Sequence, residues 1–173
     1  MTESIVYCVD SSALIYLRIH YRRSTFPGVW QDLAQLVRAQ RLIAPQQVWA
    51  EIKKDDVLPE WVREDHNRRM FVRLKTEGLR IAKEITNGFP GLVDPDRETP
   101  DADPFVIALA IEKSHEQQEL FHSQKHVVIT TERANPQGKP RIPDACQRLE
   151  VECMFTERAL ADLFEREGWH YKK

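Results

Sequence analysis

The chain has 173 residues, enough for one domain with a complete hydrophobic core. Hydrophobic residues make up 42% of it and charged residues 30%, a balance that excludes a disordered chain, and no stretch approaches the ~20 apolar residues that span a bilayer. The net charge of −2 excludes a uniformly basic protein that attracts polyanions over its whole surface.

The cellular setting is predicted from the start of the chain and from its cysteines. Residues 1–4 lack the basic region and the long apolar core of a secretory signal. Cys8, Cys146 and Cys153 are odd in number and match neither C-x-x-C nor zinc-ligand spacing. We therefore expect reduced thiols in a cytoplasmic protein without a membrane partner, folded as a single domain over residues 1–173.

The first stretch with a clear pattern is residues 5–12, an apolar, β-branched run that ends in a carboxylate and two hydroxyls. Such a run predicts a strand buried on both faces, and therefore a parallel sheet covered by helices on both sides. Ligands bind at the carboxyl ends of strands in such sheets, where Asp10 would lie. An equally good interpretation is that Asp10 or Ser11 only caps the following helix.

The rest of the chain alternates between helical and strand patterns. Further strands are predicted at residues 42–44, 127–130 and 151–155, and helices at residues 12–21, 29–39, 46–54, 68–84, 143–149 and 156–167, with two more opened by Pro59 and by residues 101–104. Gly78 leaves two helices as an alternative for residues 68–84. This alternation predicts an α/β fold, a three-layer α/β/α sandwich with a central parallel sheet of about four strands.

Acidic residues from four places in the sequence are expected at one edge of this sheet. Asp10 and Glu132 each follow a strand, Asp103 opens the helix that leads into the 127–130 strand, and Glu51 lies on the helix after the second strand. Carboxylates held close together repel each other, which a divalent cation relieves, and oxygen ligands without Cys or His suit Mg²⁺ or Mn²⁺. Taken singly, Asp103 is also a good helix cap, Glu51 an ordinary helix acid and Glu132 a loop acid.

Charge is distributed unevenly around these acids. Residues 63–83 carry seven basic side chains, whereas residues 94–103 carry five acids. Residues 87–100 also form the longest predicted loop, and loops of this length are often functional. A basic surface beside a cluster of acids is expected where a protein binds a polyanion next to a metal site. The simpler alternative is a solvated helix face.

Short motifs in this order resemble the PIN-domain family of nucleases, which includes the VapC-type toxins of bacterial toxin–antitoxin pairs. The motifs are V-D-S-S-A-L-I at residues 9–15, Glu51 on an early helix, D-x-x-x-I-A-x-A at 103–110 and V-I-T-T-E at 128–132. D-A-D-P-F-V-I-A-L-A at 101–110, with K-P-R-I-P-D-A-C at 139–146, resembles a smaller PIN-like subfamily. The resemblance covers almost the whole chain and implies a metal-dependent endoribonuclease.

The resemblance also implies roles for individual residues. The three acids common to PIN domains are matched by Asp10, Glu51 and Asp103, and Glu132 stands where a fourth acid is usually Asp. Two further acids are alternatives: Asp101 competes with Asp103, which we prefer because it directly precedes the Pro-Phe-Val-Ile-Ala helix, and Asp144 is either an extra acid of the metal site or, as we favour, a cap. Ser11 and Thr130 match positions that often orient the acids by hydrogen bonding.

The implied mechanism is attack of a metal-activated water on an RNA phosphodiester, with one or two Mg²⁺ or Mn²⁺ ions, leaving a 5′-phosphate and a 3′-hydroxyl. Arg22, Arg23 and the basic stretch at 63–83 are expected to hold the RNA backbone, with Trp61 and Phe71 in the core. The resemblance further implies a homodimer and, for a toxin, an antitoxin protein. The alternative is a catalytically weak PIN fold that binds RNA or a protein partner, for which the departure at Glu132 leaves room.

Overall fold

The fold is built on a parallel five-stranded sheet. In the computed structural model, which describes residues 4–64, 66–98, 100–119 and 124–171, the strand order is β3-β2-β1-β4-β5. The strands are β1 (Ser4–Val9), β2 (Leu42–Pro45), β3 (Phe71–Val72), β4 (Gln124–Ile129) and β5 (Cys153–Met154). Every pair is parallel, as the buried β-branched runs predict. The predicted fold class is confirmed, with one strand more than the four expected.

Eight helices connect these strands and cover the sheet within the described residues. They are α1 (Ser11–His20), α2 (Pro27–Arg38), α3 (Gln46–Ile52), α4 (Leu58–Arg63), α5 (Thr76–Gly88), α6 (Asp103–Glu119), α7 (Ile142–Arg148) and α8 (Ala159–Arg166), with short 3-10 turns at Asn67–Met70 and Pro90–Leu92. Helix α6 packs against both α5 and the sheet, which explains why residues 106–110 are all buried. No helix among the described residues is long and apolar enough to cross a membrane.

The register of the central strands brings their carboxyl ends level. Val9 of β1 lies opposite Ile129 of β4, and the backbone N–H of Asp10 donates to the carbonyl of Ile129 over 2.9 Å. Cys8 lies opposite Ile43, so β2 ends at the same edge. The residues that follow β1, β2 and β4 are therefore close in space although they are far apart in sequence.

The helix predicted at residues 68–84 is present only from Thr76 onward. This segment forms a 3-10 turn, the strand β3 and only then α5. Phe71 and Val72 pair with Ala44 and Pro45 of β2 at the edge of the sheet. The apolar spacing of this short segment also fits a helix, and the pairing with β2 is what makes it a strand. Gly78 lies near the start of α5 and not inside a longer helix.

Two element boundaries near the end of the chain also differ from those predicted. The strand expected at residues 151–155 pairs only at Cys153 and Met154, and the last helix begins at Ala159 instead of residue 156. Thr156 has a φ of +68°, a left-handed conformation that a helix start cannot use. The three cysteines are free thiols, as expected, and Cys8 and Cys146 are buried.

Candidate functional site

A pocket of about 440 Å³ lies at the carboxyl edge of the sheet and brings all four predicted acids together. Asp10 follows β1, Glu51 lies in the last turn of α3, Asp103 begins α6 and Glu132 follows β4. Asp101 lines the same pocket. The convergence expected from strand direction and helix starts is therefore observed.

Asp10 is both a helix cap and a wall of the pocket. It is the N-cap of α1 and accepts hydrogen bonds from the backbone N–H of Ser11 over 2.7 Å and of Ser12 over 3.4 Å. The hydroxyls of Ser12 and Thr130 donate to its Oδ2 over 2.7 and 3.1 Å. With 3% of its surface exposed, this carboxylate is held by donors from two elements. The capping and functional interpretations of Asp10 are thus compatible.

Glu51 is fixed by donors on three sides. Ser11 Oγ donates to Glu51 Oε2 over 2.5 Å, and the backbone N–H of Ala102 donates to Oε1 over 3.1 Å. The guanidinium of Arg97 lies 3.5 Å from Oε1. A hydroxyl next to Asp10 therefore orients a second acid, which is the role that the family resemblance implies for Ser11.

Asp103 differs from its neighbour Asp101 in lacking a donor. Asp101 accepts from the backbone N–H of Asp94 over 2.5 Å and is paired with Arg97, whereas no hydrogen bond to the Asp103 side chain is found within the described part of the chain. Burial, followed by the negative charges of the surrounding acids, raises the pKa of Asp103 to about 8. Of the two candidates, Asp103 is the one whose carboxylate lacks a compensating partner.

Glu132 reaches the start of α7. Its Oε2 accepts from the backbone N–H of Ile142 over 3.1 Å, and its own N–H donates to Thr130 Oγ1 over 3.2 Å. Burial raises the pKa of Glu132, and the negative charge of Asp10 adds to this effect while the Ile142 hydrogen bond opposes it. The longer side chain of Glu at this position is thus used to connect the pocket with α7.

Asp144 has a structural place behind the pocket wall. Its Oδ2 accepts from the backbone N–H of Arg141 over 2.9 Å, which caps α7. Both oxygens also accept from the N–H of Asn135, over 3.0 and 2.9 Å. Asp144 therefore shapes the loop at residues 135–141, in agreement with the cap that we favoured from the sequence.

The sequence pattern missed the basic residues of the pocket. Arg97 lies on one rim, paired with Glu51 and Asp101, and Lys139 and Arg141 lie on the other. The K-P-R-I-P-D-A-C motif that includes Lys139 and Arg141 could have indicated them. No local pattern indicated Arg97, because its partners are brought to it by the fold.

Two loops meet across this pocket at Gly91 and Pro140. A Cβ atom on Gly91 would lie 2.6 Å from Cδ of Pro140 and 2.9 Å from Cγ of Lys139. The absence of a side chain at Gly91 therefore lets the loop after α5 pack on the K-P-R segment. This contact sets the distance between the two rims.

The comparisons with known proteins identify a family. Residues 7–171 match the family described as a domain of unknown function, DUF4411. The chain belongs to the DUF4411 family. No curated protein and no solved structure matches it.

The basic stretch predicted at residues 63–83 is divided in this DUF4411 protein. Arg80 pairs with Glu77 and Glu84 on α5, and Lys75 pairs with Glu116 on α6. Arg73 precedes α5, and its Nε donates over 3.2 Å to Oε1 of Gln46, the first residue of α3. The stretch is therefore not one continuous basic helix face. Trp61 is buried, as expected, and Phe71 is half-buried against Trp49.

The chemistry of the pocket acids suits a hard divalent cation, although their present positions are not those of a ligand shell. The donor set of the DUF4411 pocket consists of carboxylate oxygens, with no Cys or His among its lining residues. As they stand, no three His, Cys, Asp or Glu side chains of the described ranges are arranged to hold a metal ion. The guanidinium of Arg97 contacts Asp101 and lies 3.5 Å from Glu51, so it would compete with a metal ion for these two acids.

Proposed function

We propose that this protein is a Mg²⁺- or Mn²⁺-dependent endoribonuclease of the PIN type, which hydrolyses RNA phosphodiesters. The observation that carries the proposal is the state of Asp103, a carboxyl group to which none of the described residues donates and whose pKa is raised to about 8 among four other acids. A cluster of acids that is close enough to raise the pKa of one member is suited to a divalent cation, which would favour the ionised form of that carboxylate. The PIN-like order of the sequence motifs supports the same chemistry.

The fitting ligands are Asp10, Glu51, Asp103 and Glu132, with the metal bound directly or through water. A divalent cation bound there would lower the pKa of a coordinated water and neutralise charge on the phosphate under attack. Ser11 and Thr130 would keep two of the acids in place through the hydrogen bonds described above. Lys139 and Arg141, both exposed on the pocket rim, would bind phosphate oxygens next to the cleaved bond.

The test is incubation of a labelled RNA with the purified protein and Mg²⁺ or Mn²⁺. We expect fragments with 5′-phosphate and 3′-hydroxyl ends, no cleavage in EDTA, and background cleavage by Asp103→Asn. The matched control is Asp96→Asn, an exposed acid in the neighbouring loop that does not line the pocket, which should retain wild-type activity. Equal cleavage by wild type and Asp103→Asn would reject the proposed site.

A catalytically weak fold that binds RNA or a protein partner is the second candidate function. It is favoured by Arg97, because a cationic side chain already balances Glu51 and Asp101. Titration with Mn²⁺ by calorimetry separates the two functions. Saturable binding that is lost in Asp10→Asn supports the nuclease, and the absence of any saturable binding supports the binding module.

The proposal extends to the toxin of a cytoplasmic toxin–antitoxin pair, acting as a homodimer and inhibited by an antitoxin protein. Its support is the resemblance of the sequence motifs to VapC-type toxins. Expression of the wild-type chain alone should slow bacterial growth, and Asp10→Asn should relieve the effect. Equal growth of cells expressing the two forms would remove the toxin role while leaving the nuclease proposal intact.

A further inference from the structure

Phe155 is an exposed aromatic residue at the same edge of the sheet as the acid pocket. It follows Met154, which lies opposite Ile129 of β4, so Phe155 is level with Thr130. Its exposed fraction is 42%, and only Ile19 and Leu79 are large hydrophobic residues of comparable exposure in the described ranges. No ring of the described residues stacks on it. An apolar ring of this kind is free to bind a ligand.

The turn that carries Phe155 is fixed to the pocket. The backbone N–H of Thr156 donates to the carbonyl of Glu132 over 2.9 Å. Thr156 has a φ of +68°, a conformation that β-branched residues rarely adopt. The ring of Phe155 is thus presented by a constrained turn whose anchor is an acid of the site.

A groove lies beside the acid pocket and includes Glu132, the residue to which this turn is hydrogen-bonded. A depression of about 490 Å³ is lined by six residues: Thr131, Glu132, Arg133, Ala134, Asn135 and Arg141. Glu132, Asn135 and Arg141 also line the acid pocket, so the two depressions are adjacent. The backbone of Glu132 is therefore shared by the groove and by the turn of Phe155.

The groove carries positive charge that a phosphate backbone can use. Arg141 is exposed where the pocket and the groove meet. Arg133 is paired with Glu157 over 2.6 Å, but both side chains are exposed, and such ion pairs are weak enough to exchange for a phosphate. Two arginines beyond an acidic site, followed by an exposed aromatic ring, match the way in which proteins hold single strands.

We propose that Arg141, Arg133 and Phe155 form a nucleotide-binding subsite, with the phosphate backbone of the bound RNA along the two arginines and one unpaired base stacked on Phe155. The inference rests on the proposed ribonuclease function and adds the residues that bind the RNA beside the acid pocket. A base is available for stacking on a side chain only when it is not enclosed in a duplex. Duplex RNA would therefore gain nothing from Phe155.

The experiment measures binding by fluorescence anisotropy, with a labelled single-stranded RNA of about eight nucleotides, a site size within the range of single-strand binding folds, and a duplex of the same sequence. It is done in EDTA so that no cleavage occurs. Phe155→Ser should weaken single-strand binding about 5- to 150-fold, the range of one base–aromatic stack, without changing duplex binding. Phe155→Trp should preserve binding. Leu79→Ser is the matched control, since Leu79 is 51% exposed on α5, and it should bind like wild type.

The outcomes separate this inference from the proposed function. Wild-type affinity in Phe155→Ser, or an equal loss for single strand and duplex, would overturn the inference, even if the protein cleaves RNA with Mg²⁺. Selective loss of single-strand binding would support it, even if no cleavage were detected and the nuclease proposal failed. Thermal unfolding of each variant is the control for folding, since a melting temperature equal to that of wild type excludes unfolding as the cause of a change in affinity.

Discussion

Ser11 Oγ donates a hydrogen bond to Glu51 Oε2 over 2.5 Å, which joins the first residue of α1 to the last turn of α3. The backbone N–H of the same serine donates to Asp10. One residue therefore orients two acids whose sequence positions differ by 41. This arrangement makes Ser11 a positioning residue for the proposed metal site.

Replacing Ser11 by Ala should weaken metal binding while leaving the fold intact. The change removes a hydrogen bond to a carboxylate, worth about 1.5–3 kcal/mol at most in stability, and allows Glu51 to turn towards Arg97. Calorimetric titration with Mn²⁺ should show about 10- to 100-fold weaker binding, the usual effect of losing a residue that orients a ligand. Ser11→Thr keeps the hydroxyl and should restore affinity. Loss of affinity in both variants would mean that the hydroxyl is not responsible.

Replacing Asp103 by Asn should stabilise the metal-free protein in a pH-dependent way. The pKa of Asp103 is raised from 3.8 to about 8, so between these pH values the folded state holds a proton that the unfolded state has lost. The free energy of unfolding therefore falls as pH rises from about 4 to about 8, and Asn removes this dependence.

Urea denaturation in EDTA at pH 5, 7 and 9 measures the effect of Asp103→Asn. The variant should gain stability relative to wild type at each step up to pH 8 and little above it. Addition of Mn²⁺ should then stabilise wild type more than the variant, because only wild type regains a full ligand set. A stability difference that is the same at all three pH values would contradict the raised pKa.

Replacing Arg97 by Gln should strengthen metal binding. The Arg97 guanidinium contacts Asp101 and lies 3.5 Å from Glu51, so it competes electrostatically with a divalent cation. Titration with Mn²⁺ should give a several-fold lower Kd for Arg97→Gln, with a smaller difference at high salt. Arg97→Lys keeps the charge and should resemble wild type. Weaker binding in Arg97→Gln would show that Arg97 instead holds the acids in their binding positions.

Replacing Gly78 by Ala should destabilise the protein although both residues are compatible with a helix. Glu112 Oε1 accepts from the N–H groups of Gly78 and Lys75, over 2.9 and 2.8 Å, and a Cβ at Gly78 would overlap this carboxylate. Loss of these charge-assisted bonds should cost about 2–4 kcal/mol in urea denaturation. Gly88→Ala in the same helix is the matched control, because its Cβ would meet nothing within 4 Å. Equal stability of the two variants would contradict the steric argument.

Gly78 also illustrates a structural role that the sequence alone does not reveal. From the sequence it is a weak point in a helix, with a cost of about 1 kcal/mol against Ala. In the structure it is the place where Glu112, 34 residues away, reaches the start of α5. The difference arises because helix propensity is a local property, whereas the space that a side chain needs depends on a distant segment.

The sequence by itself determined the fold class and the edge of the sheet at which the acids meet. Asp10, Asp103 and Glu132 follow strands or open a helix, and the common direction of parallel strands brings such positions together without knowledge of any contact. The periodicity of buried residues is enough for that inference because each strand and helix signals its type locally.

Only the tertiary structure decided how the acids differ from one another. The sequence favours Asp103 over Asp101 only through its place directly before a helix. In the structure, Arg97 and the N–H of Asp94 satisfy Asp101, whereas no described residue donates to Asp103. Strand β3 likewise depends on pairing with β2, and the opposite rim depends on the contact between Gly91 and Pro140. Each of these features is a contact between segments that are separate in sequence. It therefore depends on packing and hydrogen bonding in the folded protein, which no local sequence pattern reports.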